Sequence, residues 1–277
     1  MEDAEVLKEL YETIKQNSKA DYAGIIEQRA SYPYLYHLSQ IRENLVSFLP
    51  FDKDMRVLEC NPECGALTGK LLAMAGGVTA LAESELQEKI LRERFMEPQE
   101  REKLDIRRQL PEHGRFDVIL IAGHFYRWEK QLPALRELLA PGGKFYVADA
   151  NRIGLKYLAG CQEEYCGGYF TGIDGYPDAA AVGRFGRSYS RAEYTRLLQE
   201  AGFGGLTFYY PYPDHKFPSV IYSDEWPQKG ELAEGRSNYD RDRVACFNER
   251  VMFDSLLEEG VFQTFSNSFL IEAVQEG

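Results

Sequence analysis

A short apolar run ends in an acid, Glu59, and a turn follows immediately. Residues 61–65 are rich in turn-forming types, and an apolar, helix-like run occupies 67–74. A buried strand that breaks into a tight turn and opens a helix is the first unit of a nucleotide-type site in open α/β folds. The N–H groups at such a helix start attract a carboxylate or a phosphate. We therefore predict that Glu59, Asn61 and Gly65 contact a ligand.

A second acid stands where the next predicted strand ends, in the segment VTALAES. An acid about 20 residues after the turn accepts hydrogen bonds from ribose hydroxyls in such sites. Ala82 occupies the expected position and Glu83 follows it. Because adjacent strand residues face opposite sides, Glu83 binds the ligand only if the strand has ended or bulged before it. The alternative is a solvated acid at a helix N-terminus.

Polar and aromatic side chains follow two further predicted strands. They are Gly123, His124, Tyr126 and Arg127 after the run 116–122, and Asn151 and Arg152 after the run 144–149. Ligands of open α/β sheets bind outside the carboxyl ends of the strands. We predict that Gly123 contacts the same ligand as Glu59, and that the polar residues contact a small polar acceptor. His124 suits a general base, since a histidine pKa lies near working pH. Alternatively, it is a partly buried polar residue that lines the ligand.

The segment 208–226, FYYPYPDHKFPSVIYSDEW, is dense in aromatic residues and proline. Aromatic rings stack on sugars or bases, and tyrosine hydroxyls fix orientation. The functional interpretation is an acceptor-binding wall that includes Tyr210, Tyr212, Asp214 and His215. The alternative is an ordered loop that packs on itself over the edge of a sheet, and such loops often do both.

Strand-like and helix-like segments alternate through the centre of the chain. The strand-like runs are 56–60, 77–82, 103–107, 116–122 and 144–149, with helical segments at about 66–75, 84–96 and 130–139. This alternation predicts an α/β fold with a parallel sheet covered on both faces. Further strands are predicted at 206–210 and 265–274, and a capping-box pattern at 190–193 starts a helix.

The predicted domain organisation has two parts. Apolar residues at helical spacing predict helices over 4–17 and 34–49, which form an N-terminal helical cap, 1–50. Residues 51–277 form the ligand-binding domain, with insertions at about 151–187 and 211–262. The first insertion is rich in glycine and tyrosine, and we interpret it as a long loop or lid.

Composition excludes several classes of function. The chain has 277 residues and a net charge of −12, without a clustered basic surface, so nucleic-acid binding is not expected. No apolar run approaches the length of a membrane span and the N-terminus is not signal-like, which predicts a cytoplasmic protein without membrane insertion. The five scattered cysteines predict neither disulfides nor a metal site. The oligomeric state is not indicated.

The sequence resembles the class I S-adenosylmethionine (SAM) methyltransferases over roughly 55–210 and 263–274. The resemblance is carried by MRVLECNPECG (55–65), VTALAES (78–84), FDVILIAG (116–123) and LLAPGGKFYVAD (138–149). It implies a Rossmann-like, seven-stranded, mostly parallel sheet with an antiparallel edge, and SAM as cofactor. YHLSQIRENL, NRIGLKYLAG, YYPYPDHKFP and FSNSFLIEA add similarity to a bacterial subgroup associated with glycosyltransferases and cell-surface polysaccharides. That pattern has glycine at Asn61 and glutamate at Ala82 and Ala150, so this chain departs from it at three ligand-contact positions.

Two functions compete. The resemblance implies a methyltransferase that acts on an O or N atom of a small-molecule or glycan-like acceptor. The three departures favour a non-catalytic binding or scaffold protein on the same fold, since fold does not imply function. A nucleotide-sugar or NAD-type enzyme is disfavoured because a full G-x-G-x-x-G is missing, and a serine hydrolase because no G-x-S-x-G is present.

Overall fold

The computed structural model describes residues 4–178, 180, 183, 185–233 and 246–275. The chain divides into two compact units. The first comprises the chain up to Ile121 together with Leu138–Gly143, and the second comprises Ala122–Glu137 and the chain from Lys144 onward. The predicted boundary at residue 50 stays a prediction.

Over its described residues, the first unit contains four parallel strands in the order β3-β2-β1-β4. They are β1 (Arg56–Glu59), β2 (Gly77–Leu81), β3 (Leu104–Arg107) and β4 (Phe116–Ala122), whose last residue opens the second unit. Val57 pairs with Val78 on one side and Val118 on the other. All three are buried, as the near-continuous apolar runs of central parallel strands require. The four strands predicted here are confirmed.

Among the residues described for this unit, seven helices accompany these strands. They are α1 (Ala4–Gln16), α2 (Tyr22–Arg29), α3 (Tyr32–Leu38), α4 (Asn44–Ser47), α5 (Thr68–Met74), α6 (Glu85–Arg94) and α7 (Pro98–Lys103), with 3₁₀ turns at Lys19–Asp21 and Gln40–Glu43. The cap helices bury a cluster against α6 and the turn after β1, comprising Leu10, Ile14, Tyr22, Tyr34, Leu38, Cys64 and Ile90.

The single helix predicted over 34–49 is wrong, because it breaks at Ser39. Ser39 is extended, with ψ 134°, and its hydroxyl accepts a hydrogen bond from the N–H of Ile41 at 3.2 Å. A serine that bonds nearby backbone competes with helix continuation. The break starts a 3₁₀ turn that carries the buried Arg42.

The second unit contains antiparallel strands in the order β5-β8-β6-β7. They are β5 (Leu139–Ala150), which begins in the first unit, β6 (Phe203–Tyr212), β7 (Val220–Tyr222) and β8 (Ser268–Gln275). The predicted antiparallel pairing of the last two long strands is confirmed. The predicted count of seven is one short for the described residues, because the three-residue β7 lies within the aromatic segment.

The helices of this unit support its strands and its insertion. They are α8 (Leu132–Leu138), α9 (Leu155–Leu158), α10 (Arg191–Glu200), α11 (Glu249–Glu258) and α12 (Phe262–Phe265), with 3₁₀ turns at Phe125–Arg127 and Glu129–Gln131. The capping box that starts α10 is confirmed: the N–H of Ser190 donates to the Glu193 carboxylate at 2.8 Å. Within the described ranges, no helix combines the length and apolar character that a membrane span requires.

Candidate functional site

Glu59 ends β1 with its side chain almost wholly buried, at 1% exposure. The Thr68 hydroxyl donates to Glu59 Oε2 at 2.7 Å. Glu59 Oε1 is buried and has no hydrogen-bond partner among the described residues. Burial raises the pKa of this carboxyl to about 7, against the opposing influence of Thr68 and Arg42. A buried acceptor without a donor costs free energy, so Glu59 is suited to receive a donor from a ligand.

The turn after Glu59 places a glutamate in the left-handed region. Glu63 has φ 49° and Gly65 has φ 84°, and the N–H of Gly65 donates to the carbonyl of Pro62 at 2.7 Å. Asn61 is not among the residues with positive φ, so Glu63 and Gly65 carry the left-handed conformations of this turn. A non-glycine residue at positive φ is uncommon and costs conformational energy.

The Glu63 carboxylate is bound by the cap. Arg42 Nη1 donates to Glu63 Oε2 at 3.1 Å, and the Tyr36 hydroxyl donates to Glu63 Oε1 at 3.2 Å. The Arg42 guanidinium lies over the Tyr36 ring, 3.8 Å from its centroid, and its side chain is 4% exposed. The negative charge of Glu63, which lies in the turn predicted to contact the ligand, is therefore paired with Arg42.

Gly65 is required by packing as well as by backbone conformation. A Cβ at this position would lie 2.7 Å from Phe95 Cε2 and 3.0 Å from Leu91 Cδ2. A bulky replacement would thus clash with α6 and its end whether or not a ligand is bound. Loss of binding in a Gly65 variant alone would not identify a ligand contact.

The condition set for Glu83 is met. β2 ends at Leu81, the N–H of Ala82 donates to the carbonyl of Arg107, and Glu83 is exposed beyond the strand. Ser84 caps α6 by accepting from the N–H of Gln87 at 3.1 Å. Glu83 thus lies just before a helix, which suits either a ribose contact or the solvated alternative.

In the second unit, Gly123 and His124 both adopt left-handed conformations, with φ 76° and 54°. The N–H of Gly123 donates to the carbonyl of Ala148 at 2.7 Å, and a Cβ on Gly123 would meet nothing within 4 Å. Gly123 is therefore selected by its conformation, and its open side leaves room for a ligand.

A half-buried tyrosine and a buried aspartate, which the sequence reasoning missed, hold the His124 turn. Tyr165 donates to Asp149 Oδ1 at 2.5 Å and accepts from the N–H of His124 at 2.8 Å. Asp149 Oδ2 accepts from the N–H of Phe125 at 2.9 Å. Burial raises the pKa of the Asp149 carboxyl to about 6, although Tyr165 and the backbone donors oppose this. The only local signal was an acid at the end of the run FYVAD.

Tyr126 and Arg127 lie beside this network. The Tyr126 ring is 5.1 Å from that of Tyr165 and 6.0 Å from that of His124, and Arg127 Nε donates to the Tyr126 hydroxyl at 3.1 Å. The side chains of Tyr126, Arg127, His124 and Tyr165 are all partly exposed. Tyr126, Arg127 and His124 are thus brought together as the sequence placed them.

Asn151 and Arg152 are already engaged. Asn151 is fully buried, and its amide donates to the carbonyls of Thr264 and Ser266 at 2.8 and 2.7 Å. Arg152 Nε donates to Glu193 at 2.6 Å, and its Nη1 donates to the carbonyl of Gly172 at 2.8 Å. In this geometry Asn151 holds the backbone of residues 264–266 in place. Of the two residues, only Arg152 is partly exposed.

The aromatic segment packs on itself. Tyr210 is fully buried against Phe262 and Phe269, and its hydroxyl donates to Asp224. Tyr212 contacts Tyr222 and Phe253. This arrangement is the self-packed alternative for both tyrosines, because their rings form part of the core of the second unit.

A buried ion cluster joins this segment to the first insertion. Lys156 contacts Glu164 and Asp214 at 3.2 and 3.4 Å, and Lys216 contacts Glu164 at 2.8 Å. His215 is 3% exposed, and burial lowers its pKa to about 4, so it is neutral at pH 7. Two cations thus balance two anions, as buried charges require. Charge and spacing in the sequence gave no sign of this cluster.

The sequence matches no protein-family model and no curated protein. Solved structures resemble it. A chain in the complex between the Haloferax volcanii Trm112 methyltransferase activator and a methyltransferase is 14% identical with TM-score 0.52, over 94% of this chain and 97% of that chain. The glycopeptide N-methyltransferase MtfA complexed with SAM is 17% identical with TM-score 0.50, over 86% and 93%.

A third structure, the CurJ carbon methyltransferase, is 16% identical with TM-score 0.46 over 84% of this chain. The chain spans about half, 51%, of that protein's length. The first two structures, at 14 and 17% identity, establish the fold alone: the Rossmann-like methyltransferase fold predicted from the sequence is confirmed.

Proposed function

We propose that this protein is a SAM-dependent methyltransferase. The observation that carries the proposal is Glu59, a buried carboxylate at the end of the first strand with one oxygen bound by Thr68 and the other without a partner among the described residues. On a methyltransferase fold, a buried acceptor at this position is suited to accept a hydrogen bond from the amino-acid end of SAM. MtfA, whose structure holds SAM, shares the fold.

In the proposed roles, residues of the first unit bind the cofactor. Glu59 accepts hydrogen bonds from it, the backbone of residues 61–65 approaches it, and Glu83 accepts from the ribose hydroxyls. Gly123 stays a predicted cofactor contact on the second unit. SAM supplies the methyl group as an electrophile, and the protein contributes by alignment.

We further propose that the acceptor is a small molecule or a glycan-like compound methylated on an O or N atom. Tyr126, Arg127 and Arg152 are the polar candidates for acceptor contacts on the second unit, since each is partly exposed. The glycopeptide specificity in the name of MtfA is compatible with this acceptor class. Tyr210, Tyr212, His215 and Asn151 are buried, and we assign them supporting roles.

His124 is the proposed general base. Tyr165 holds its backbone N–H, and its ring lies 5.1 Å from the Tyr165 ring. We expect His124→Ala to lower turnover roughly 10²–10⁴-fold and to leave SAM affinity unchanged. Incubation with methyl-labelled SAM and pools of small hydroxy, amino and glycan compounds, followed by mass spectrometry, identifies the acceptor on which this is measured. Full turnover by His124→Ala would leave alignment as the whole mechanism.

A non-catalytic binding protein is the second candidate, favoured by Asn61, Ala82 and Ala150, the three positions at which this chain departs from the pattern it resembles. Mass spectrometry of ligand released from the purified protein separates the candidates in part. Bound SAM or S-adenosylhomocysteine (SAH) supports the cofactor site. Sustained SAM binding without methylation of any acceptor pool would favour the second candidate.

A further inference from the structure

The end of β1 and the turn after it carry two carboxylates, Glu59 on the strand and Glu63 within the turn. Both interact electrostatically with Arg42. A ligand carboxylate that approached this turn would meet two like charges, which disfavours binding. Some feature of the first unit must offset that charge if the turn is to hold SAM.

Arg42 has the geometry to do so. Its Nη1 donates to Glu63 at 3.1 Å and its Nη2 donates to the Tyr36 hydroxyl at 3.1 Å, while the ring of Tyr36 supports its flat face. Arg42 Nε is buried and has no hydrogen-bond partner among the described residues. The planar guanidinium is thus fixed, buried and not saturated, which suits bidentate recognition of a carboxylate.

The charge pattern selects one class of ligand. A phosphate would be repelled by Glu59 and Glu63, and a simple cation would be repelled by Arg42. An α-amino-acid group satisfies both, because its ammonium can donate to Glu59 Oε1 while its carboxylate accepts from Arg42. The left-handed Glu63 keeps a carboxylate on Arg42 when no ligand carboxylate is there.

We propose that Arg42 is the specificity-determining residue for the amino-acid end of the cofactor, with Glu59 as the acceptor for its ammonium group. This inference rests on the proposed function. In it, the Arg42 guanidinium donates to the ligand carboxylate, the role that backbone N–H groups of a glycine-rich turn would otherwise have. Glu63 competes with the ligand carboxylate for Arg42.

The test compares two ligands by calorimetry. SAH carries the amino-acid group, and 5′-methylthioadenosine has the same adenosine and thioether without it. We expect Arg42→Met to weaken SAH binding about 10–100-fold, the range for a charge-assisted hydrogen bond, and to leave methylthioadenosine binding unchanged. Glu63→Gln removes the competitor and is expected to bind SAH at least as tightly as the parent.

Controls separate recognition from folding. Arg92→Met removes an arginine that is 61% exposed on α6 and should change neither affinity. The double variant Arg42→Met/Glu63→Gln removes both charges of the pair, so the Glu63 carboxylate is not left without its cation if Arg42→Met alone fails to fold. It is expected to bind SAH about 10-fold or more weaker than Glu63→Gln.

The outcomes are distinct. Two results in the folded Arg42 variants would overturn the inference and leave the proposed function standing. One is an equal loss of affinity for SAH and methylthioadenosine, and the other is an unchanged affinity for SAH. A parent protein that binds neither SAH nor methylthioadenosine would overturn the proposed function itself, and the inference with it.

Discussion

Glu59 is the residue whose titration connects pH to ligand binding. Its carboxyl has a pKa near 7 because it is buried, whereas an ordinary glutamate ionises near 4.5. An ammonium donor requires the ionised carboxylate, so below pH 7 binding must release the proton that Glu59 holds. We expect the association constant for SAH to rise about tenfold per pH unit from about pH 5.5 to 7 and then to level off.

Calorimetry across this pH range checks the prediction. Glu59→Gln cannot release a proton and should bind weakly with no slope, while Asp105→Asn alters an exposed acid and should keep the slope of the parent. An SAH affinity for the parent that does not vary between pH 5.5 and 7 would show that Glu59 is not the acceptor.

Tyr165 is the residue that secures the turn of the second unit. Tyr165→Phe removes the donor to Asp149 and the acceptor for the His124 N–H. Both groups would then lose a partner in a buried site, so we expect the free energy of unfolding to fall by about 1–3 kcal/mol. Urea denaturation measures it, with Tyr169→Phe, whose residue is 54% exposed, as the matched control. Equal stability of the two variants would mean that the network contributes nothing.

At the scale of elements, the turn after β1 and helix α6 are built together. Gly65 lies so close to Phe95 that a methyl group would fall 2.7 Å from the ring. We expect Gly65→Ala to lower the free energy of unfolding by about 1–3 kcal/mol, from overpacking and from its φ of 84°.

Phe95→Leu separates the two causes, because it removes the ring atoms and leaves the backbone as it was. Gly65→Ala should lower the free energy of unfolding by less in that background, and the cost that remains is due to backbone strain and to the contact with Leu91 Cδ2 at 3.0 Å. A cost that is the same in both backgrounds would show that Phe95 does not constrain the turn.

Element positions were predictable where the signal was local. Long apolar runs gave β1, β4 and β5, and the serine–glutamate spacing gave the start of α10. The break at Ser39 was missed, because the apolar pattern of the cap continues through it. The three-residue β7 was missed because proline and aromatic residues on either side conceal so short a strand.

At the scale of the whole molecule, the fold followed from the order of elements, but the polar networks did not. Arg42 and Glu63 are 21 residues apart, and Asp149 and Tyr165 are 16 apart. Such pairs depend on how helices and loops pack, and no local spacing specifies them. The predicted ligand residues were placed by strand ends alone. For that reason the prediction succeeded unevenly. The surroundings of Glu59 and His124 fit the roles proposed for them, whereas the polar groups of Asn151 and Tyr210 are used in structural hydrogen bonds.

Titration of the purified parent protein with SAH tests the central claim most directly. We expect saturable binding at one site per chain near pH 7.5, with affinity weakened in the Glu59→Gln variant and kept in the Asp105→Asn variant. A parent protein that gives no binding heat with SAH or SAM, while its circular dichroism shows a folded chain, would contradict the claim that this methyltransferase fold retains a cofactor site.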